Sequence, residues 1–342
     1  MDKNAQSATE PSVLRNKTNP DEHPVIRNRA RLPTPPIRNA FNIVSRTVLQ
    51  RDPGCCFIAH PRFGKTSAIR VLSKQLAHSF PAMPIVTINA KSHQRFSEAT
   101  FYGELLTTCG HGAPTAGKIE ARRSRFFNFV WALAQSRDSD RVLIFIDEAQ
   151  NWHESEFSVL RDLSNDLSLE RDVILIAVFF GQPELASIRT ALLQSARIDL
   201  IGRFMIQQHN FAGLATLAEL VETMGYYDDP DVSEYPEGSG TSYSEFLLGA
   251  AFRSGWRLQN ESGRLWKQFK DAAQPHGGLG QLGMHWVAAS IRTFFVSQME
   301  YDHPGLEGTD EDWENAVRAS GFAQSLGVTY VFDDKLPVVA LH

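Results

Sequence analysis

Hydrophobic positions along the chain follow two rhythms. Short, nearly unbroken apolar runs occur at 55–60 (CCFIAH), 84–90 (PIVTINA), 141–147 (RVLIFID), 172–180 (DVILIAVFF) and 203–209 (RFMIQQH). Between them, apolar residues return every three or four positions. Phe157, Leu160, Leu163 and Leu167 share one helical face, and helices are predicted to begin near 65, 97, 121, 154 and 184. An earlier helix is predicted from about 37, through Ile37, Phe41, Val44 and Val48. Strands that are apolar on both faces and separated by helices build a parallel sheet covered on each side. The pattern therefore predicts an α/β core over 37–210 with a five-stranded parallel sheet.

After about residue 210 the strand rhythm stops. Three helical stretches follow, LATLAELVETMGYY, SEFLLGAAFRSGWRLQNESGRLWKQFKDAA and GLGQLGMHWVAASIRTFFVSQME, predicting a helical subdomain over 211–300. Within it, DDPDVSEYPEGSG (228–240) is an acidic insertion without a basic residue. Residues 1–36 lack hydrophobic period, and RNRARLPTPPIRN, beginning at Arg27, reads as a basic, proline-punctuated arm. Such an arm is expected to be either a mobile tail or a segment that orders on a partner or on DNA. Residues 301–342 form an acidic tail whose only lysine or arginine residues are Arg318 and Lys335. It holds one predicted helix, DEDWENAVRAS, with Thr309 or Asp310 as its cap.

Composition narrows the class. The 342 residues are 42% hydrophobic and 21% charged, with a net charge of −5. That excludes a histone-like basic coat but leaves room for a local basic surface. Cys55, Cys56 and Cys109 form neither a metal-ligand spacing nor an even disulfide set. Cys55 and Cys56 read as small hydrophobes inside a strand. The N-terminal stretch lacks a signal-peptide core, and the run Val173 to Phe180 is far short of the ~20 residues that cross a bilayer. A soluble, cytoplasmic protein without a membrane partner is expected.

The chemistry gathers at three strand ends. After the first strand comes AHPRFGKTS (59–67), which meets the phosphate-loop pattern G-x-x-x-x-G-K-[ST] except that Ala59 replaces the first glycine. A helix N-terminus offers unpaired N–H groups and partial positive charge to a phosphate. Gly64 lets the backbone approach closely, Lys65 can reach the β- and γ-phosphates, and the Thr66 hydroxyl can ligate Mg²⁺. The nucleotide-binding candidates are therefore Ala59, His60, Pro61, Arg62, Phe63, Gly64, Lys65, Thr66 and Ser67. The strand VLIFIDEAQ ends in paired carboxylates: Asp147 is placed to hold Mg²⁺, and Glu148 to polarise the attacking water. The strand DVILIAVFFGQPEL ends at Gln182, either a γ-phosphate sensor or part of a Gly181–Pro183 turn. Arg203, with Arg197 as second choice, is positioned either to reach a neighbouring subunit's site or to make a surface ion pair.

Taken together, AHPRFGKT, FIDEAQ, GQPEL and ARIDLIGRF, followed by a helical lid, resemble the AAA+ ATPases of the TnsC/TniB (MuB-related) transposition-regulator family over residues 37–290. The resemblance implies an AAA+ P-loop core with ATP and Mg²⁺ held between subunits of a homo-oligomeric ring or filament. It implies assembly on double-stranded DNA without sequence preference, a transposase as partner, and a target-selection protein or complex. It also implies a DNA-facing surface on AKSHQRFSEATF and AGKIEARRSRFF, with Lys91, Arg95, Lys118, Arg122, Arg123 and Arg125 as candidates. Without the resemblance, the same residues read as a solvated face. Two departures stand out: Ala59, and the absence of an arginine at the start of the lid helix in PHGGLGQLGMHWVAAS. The alternative is an ATPase of protein assembly or signalling, ExeA-like or a switch, that does not bind DNA. A replication-loader type would bring a winged-helix module, for which the tail is too short and acidic.

Overall fold

Residues that alternate between two buried faces hold the sheet together. In the computed structural model, which describes residues 19–328, strands β1 (Gly54–Ile58), β3 (Arg141–Asp147) and β4 (Ile174–Gly181) are buried almost throughout. Cys55, Phe57, Phe145, Val178 and Phe180 point into one core, while Cys56, Ile144, Ile146, Ala177 and Phe179 point into the other. Both cores exclude water, which is why these strands read as continuous apolar runs. Cys55 and Cys56 are fully buried free thiols, as expected, and burial pushes Cys55 up to about 12.

All strand pairs are parallel, in the order β2-β3-β4-β1-β5, with β2 at Ile85–Asn89 and β5 at Gln208–Asn210. The connecting helices are α1 (Pro35–Gln50), α2 (Lys65–Ser79), α3 (Glu98–Thr108), α4 (Ile119–Gln135), α5 (Glu154–Arg171), α6 (Glu184–Gln194) and the short α7 (Ile198–Leu200). Val44, Val48, Ile69 and Leu72 of α1 and α2 cover the first core; Phe126, Val130, Phe157 and Leu160 of α4 and α5 cover the second. This is an α/β core, a five-stranded parallel sheet covered by helices on both faces, followed by a helical region. Because β4 lies between β1 and β3, the ends of three strands converge on one crevice, where ligands bind in open α/β sheets.

The fifth predicted strand needs correction. Residues 201–205 form a π-helical turn, and only 208–210 pair with β1. Ile201, Phe204 and Met205 recur at helical spacing and are all buried in the second core, so packing favours the turn.

The helical region contains α8 (Leu217–Asp228), α9 (Tyr243–Leu247), α10 (Gly249–Arg253), α11 (Ser262–Ala273), α12 (Met284–Gln298), α13 (Asp310–Ala319) and α14 (Phe322–Val328). Its core is continuous with that over α1 and α2. The described part of the expected acidic tail packs onto this region. Thr309 caps α13 as expected, in a capping box with Asp312. Trp313 is fully buried, stacks on Phe294 at 4.2 Å, and donates its indole N–H to Glu261 at 3.1 Å. The last stretch, 329–342, lies outside the described residues.

The expected free arm also differs from what is seen. Its first part, 1–18, lies outside the described residues, but 19–34 lie against the protein. Val25 and Leu32 are buried, and His23 is fully buried within Tyr235, Tyr243 and Phe246. Tyr235 belongs to the acidic insertion, so the two segments lacking periodicity complete each other's packing. Apolar residues this sparse show no period, and their burial is visible only in three dimensions.

Candidate functional site

The loop between β1 and α2 is shaped for an anion. Gly64 has φ +99°, a conformation favouring glycine, and leads directly into the first turn of α2. Ala68 N–H bonds to Gly64 O at 2.8 Å, whereas the N–H groups of Lys65, Thr66 and Ser67 precede any intrahelical acceptor. Ala59 is buried, does not have positive φ, and bonds through its N–H to Gly181 O at 2.9 Å. That backbone tolerates a Cβ, which accounts for alanine at a position where the pattern has glycine. Phe63 anchors the loop in the core, while Pro61 and Arg62 are exposed at its tip.

The acids converge on this loop. The Thr66 hydroxyl donates to Asp147 Oδ2 at 2.6 Å, so the two predicted metal-binding groups already touch. Asp147 is only 5% exposed; burial raises its pKa and the Glu148 charge adds to this, against the Thr66 and Glu148 N–H hydrogen bonds. Lys65, 6% exposed, sits 3.7 Å from Glu148 Oε1. Glu148 has left-handed backbone, φ 54°, which swings its side chain out of the strand direction. Its other oxygen, Oε2, accepts from Gln150 Nε2 at 2.6 Å and from Gln182 Nε2 at 3.1 Å. Burial pushes the Glu148 carboxyl up, but these two amides and Lys65 outweigh it, leaving its pKa below the usual glutamate value. Gln182 therefore meets the acids, as its strand position predicted. Gln150 escaped the sequence reading. It also accepts the Gln182 N–H at 3.0 Å, tying two strand ends together. Its place two residues after Glu148 was the only available signal.

Beside the loop lies a cavity of about 210 Å³. The loop contributes Arg62, Phe63, Gly64 and Ser67; the helical region contributes Tyr227, Met284, His285 and Ala288. A further wall, with Val25, Asn28, Arg31, Leu32 and Thr34, comes from the N-terminal arm segment. Arg31 Nε and Thr34 Oγ1 are buried without a hydrogen-bond partner among the described residues. A largely apolar cavity with unsatisfied polar atoms, opening beside a phosphate-type loop, fits a nucleotide base and ribose. None of this wall was legible in the sequence.

The two arginines differ. Arg197 is engaged within its own chain by Glu154, Asp199 and Ser158. Arg203, on the π-helical turn, bonds only neutral groups, Ser164 Oγ at 2.8 Å and Asn165 Oδ1 at 2.6 Å. Burial, with the nearby Arg161 charge, lowers its pKa. Its charge has no carboxylate partner among the described residues.

The six basic candidates also divide. Arg122 donates to the carbonyls of Ala99 at 2.7 Å, Gly117 at 3.3 Å and Thr115, and Arg125 to those of Ala113, Ala116 and Ala121, so both organise the loop before α4. Arg123 pairs with Asp166 at 2.7 Å and Lys91 with Glu104 at 3.3 Å. The side chains of Arg95 and Lys118 are exposed and unpartnered among the described residues.

Residues 50–188 match the family model described as AAA domain. No curated protein matches the chain. Among solved structures, the Aeropyrum pernix ORC2 protein in its ADPNP–ADP complexes is 11% identical with a TM-score of 0.51, over 83% of this chain and 66% of that one. The ADP form of the same protein is 12% identical with a TM-score of 0.50, over 84% and 68%. Drosophila ORC bound to DNA is 14% identical with a TM-score of 0.47, over 89% and 70%. At these identities the likeness to ORC2 is one of fold. The present chain spans just under two thirds of the first ORC2 chain.

Proposed function

We propose that this chain, with an AAA domain over residues 50–188, is an ATP-hydrolysing AAA+ protein that assembles with copies of itself on double-stranded DNA and regulates transposition by recruiting or activating a transposase. The observation that carries the ATPase reading is the meeting of Lys65, Thr66, Asp147, Glu148 and Gln182 beside one helix N-terminus. Bound Mg²⁺–ATP would supply the reactive phosphoanhydride. The loop N–H groups and Lys65 bind and orient phosphate oxygens. Thr66 and Asp147 are the pair that would hold the ion. Glu148, kept ionised by its two amide donors, accepts a proton from water at its carboxylate, and Gln182 fixes the direction of that carboxylate. Arg203 offers its charge to the site of a neighbouring copy.

The transposition reading rests on the DEAQ and GQPEL motifs together with the exposed, unpartnered Arg95 and Lys118. A second reading, an ATPase of protein assembly or signalling without DNA, is favoured by the internal engagement of Lys91, Arg122, Arg123 and Arg125. Electron microscopy with double-stranded DNA, with and without a non-hydrolysable ATP analogue, separates them. Rings or filaments on DNA that need the analogue support the first. Nucleotide-driven oligomers that ignore DNA support the second. DNA affinity under the first reading falls steeply with salt, because phosphate contacts release counterions.

A further inference from the structure

The helical region touches the phosphate loop directly. His285, in the first turn of α12, donates its main-chain N–H to Arg62 O at 3.2 Å. Its imidazole Nε2 lies 3.1 Å from Arg62 Nη1. Close approach at this seam depends on Gly283, where a Cβ would sit 3.0 Å from Arg62 O and 2.6 Å from the Trp286 ring. Arg62 itself has left-handed backbone, φ 68°, rarely adopted by a side-chain-bearing residue and persisting where surrounding contacts fix it. Both residues line the cavity beside Gly64 and Ser67. An arginine has no acceptor atom, so the ring nitrogen facing it must be the acceptor, and the ring is neutral. Burial and the charges of Arg62 and Arg292 lower the His285 pKa, which agrees. A neutral nitrogen is a poor partner for a guanidinium compared with an anionic oxygen, whose charge-assisted bonds are about twice as strong.

We propose that Arg62 exchanges His285 for a nucleotide phosphate, and that this exchange couples the position of the helical region to occupancy of the loop. Without an anion, Arg62 joins loop and helix through side chain and main chain together. With one, the guanidinium leaves the imidazole and one of the two ties is lost. Arg62 is thus a phosphate-binding residue and His285 a positioning residue that acts through it, and the coupling needs no arginine from α12 itself. The inference rests on the nucleotide-site reading.

The test is a double-mutant cycle on the affinity of a fluorescent, non-hydrolysable ATP analogue with Mg²⁺. Arg62→Ala is expected to weaken binding about tenfold. His285→Ala removes the competing acceptor and is expected to tighten binding about threefold, and to do nothing in an Arg62→Ala background. Hydrogen exchange gives a second readout: amides in the first turn of α12 change protection on analogue binding in the wild type and not in Arg62→Ala. His285→Gln, which keeps an acceptor, should bind like the wild type and guards against misfolding of the alanine variant. If the wild type does not bind the analogue, the nucleotide-site reading fails and this inference with it. If it binds, but His285→Ala acts equally with and without Arg62, or α12 protection ignores the analogue, only the exchange is overturned.

Discussion

In the proposed function, one carboxylate carries most of the chemistry. Glu148 is held through one oxygen by Gln150 and Gln182 and through the other by Lys65. Glu148→Gln keeps the shape but removes the proton acceptor. It should bind nucleotide as the wild type does and lose ~10²–10⁴-fold in hydrolysis, read by phosphate release against analogue binding. Normal turnover in that variant would end the assignment. Lys65→Ala is expected to abolish nucleotide binding itself, measured with the same analogue. Gln150→Ala removes one of two donors to Glu148 and the acceptor for the Gln182 N–H. Its kcat should fall about tenfold with KM little changed, because a group that orients the base acts on the chemical step. A rise in KM at constant kcat would instead make Gln150 a binding residue.

At the scale of elements, the segment before α1 matters most. Residues 19–34 form one wall of the cavity and are fastened to the helical region at His23. His23 Nδ1 accepts the Val25 N–H at 3.2 Å, and burial lowers its pKa to about 4 from 6.5. The surrounding rings of Tyr235, Tyr243 and Phe246 carry no charge to compensate. The folded state thus binds this proton less readily than the unfolded chain. The stability is fully present above pH 6.5 and is lost as pH falls towards 4. From that difference, His23 should cost about 2 kcal/mol between pH 7 and pH 5. Urea unfolding of wild type and His23→Phe at the two pH values checks it: the phenylalanine variant should lose correspondingly less on acidification. Equal losses would show that His23 does not set the acid limb.

At the scale of the whole molecule, the proposed assembly makes the site half of an interface. Arg203 lies on a π-helical turn after β4 and α6, bonded to neutral partners, while Arg197 is spent on its own Glu154 and Asp199. The prediction is that Arg203→Ala loses hydrolysis but keeps nucleotide binding. Mixing it with Lys65→Ala, which retains Arg203 but binds no nucleotide, should restore activity wherever an intact arginine meets an intact loop. Failure of every mixture to exceed either variant alone would argue against a role across subunits. Arg197→Ala, by contrast, should act through stability, by breaking the cluster with Glu154, Asp199 and Arg161.

The sequence by itself determined the sheet and the chemistry at its strand ends. Both are written in contiguous residues: short apolar runs such as VLIFID have the length of buried strands, and GKT, DE and GQ lie at or within a few residues of their ends. Side chains on strand ends and a helix N-terminus inherit their direction from the element that carries them. Tertiary structure alone decided what comes from distant parts of the chain. The residues of 25–34 that close the cavity, the carbonyl partners of Arg122 and Arg125, and the meeting of Arg62 with His285 leave no local period or motif. The helical turn at 201–205 belongs with them, because Ile201, Phe204, Met205 and Ile206 fit either rhythm until the core selects the helical one. Periodicity reports which face of an element is buried; which other element covers that face is settled by the packing of the whole chain.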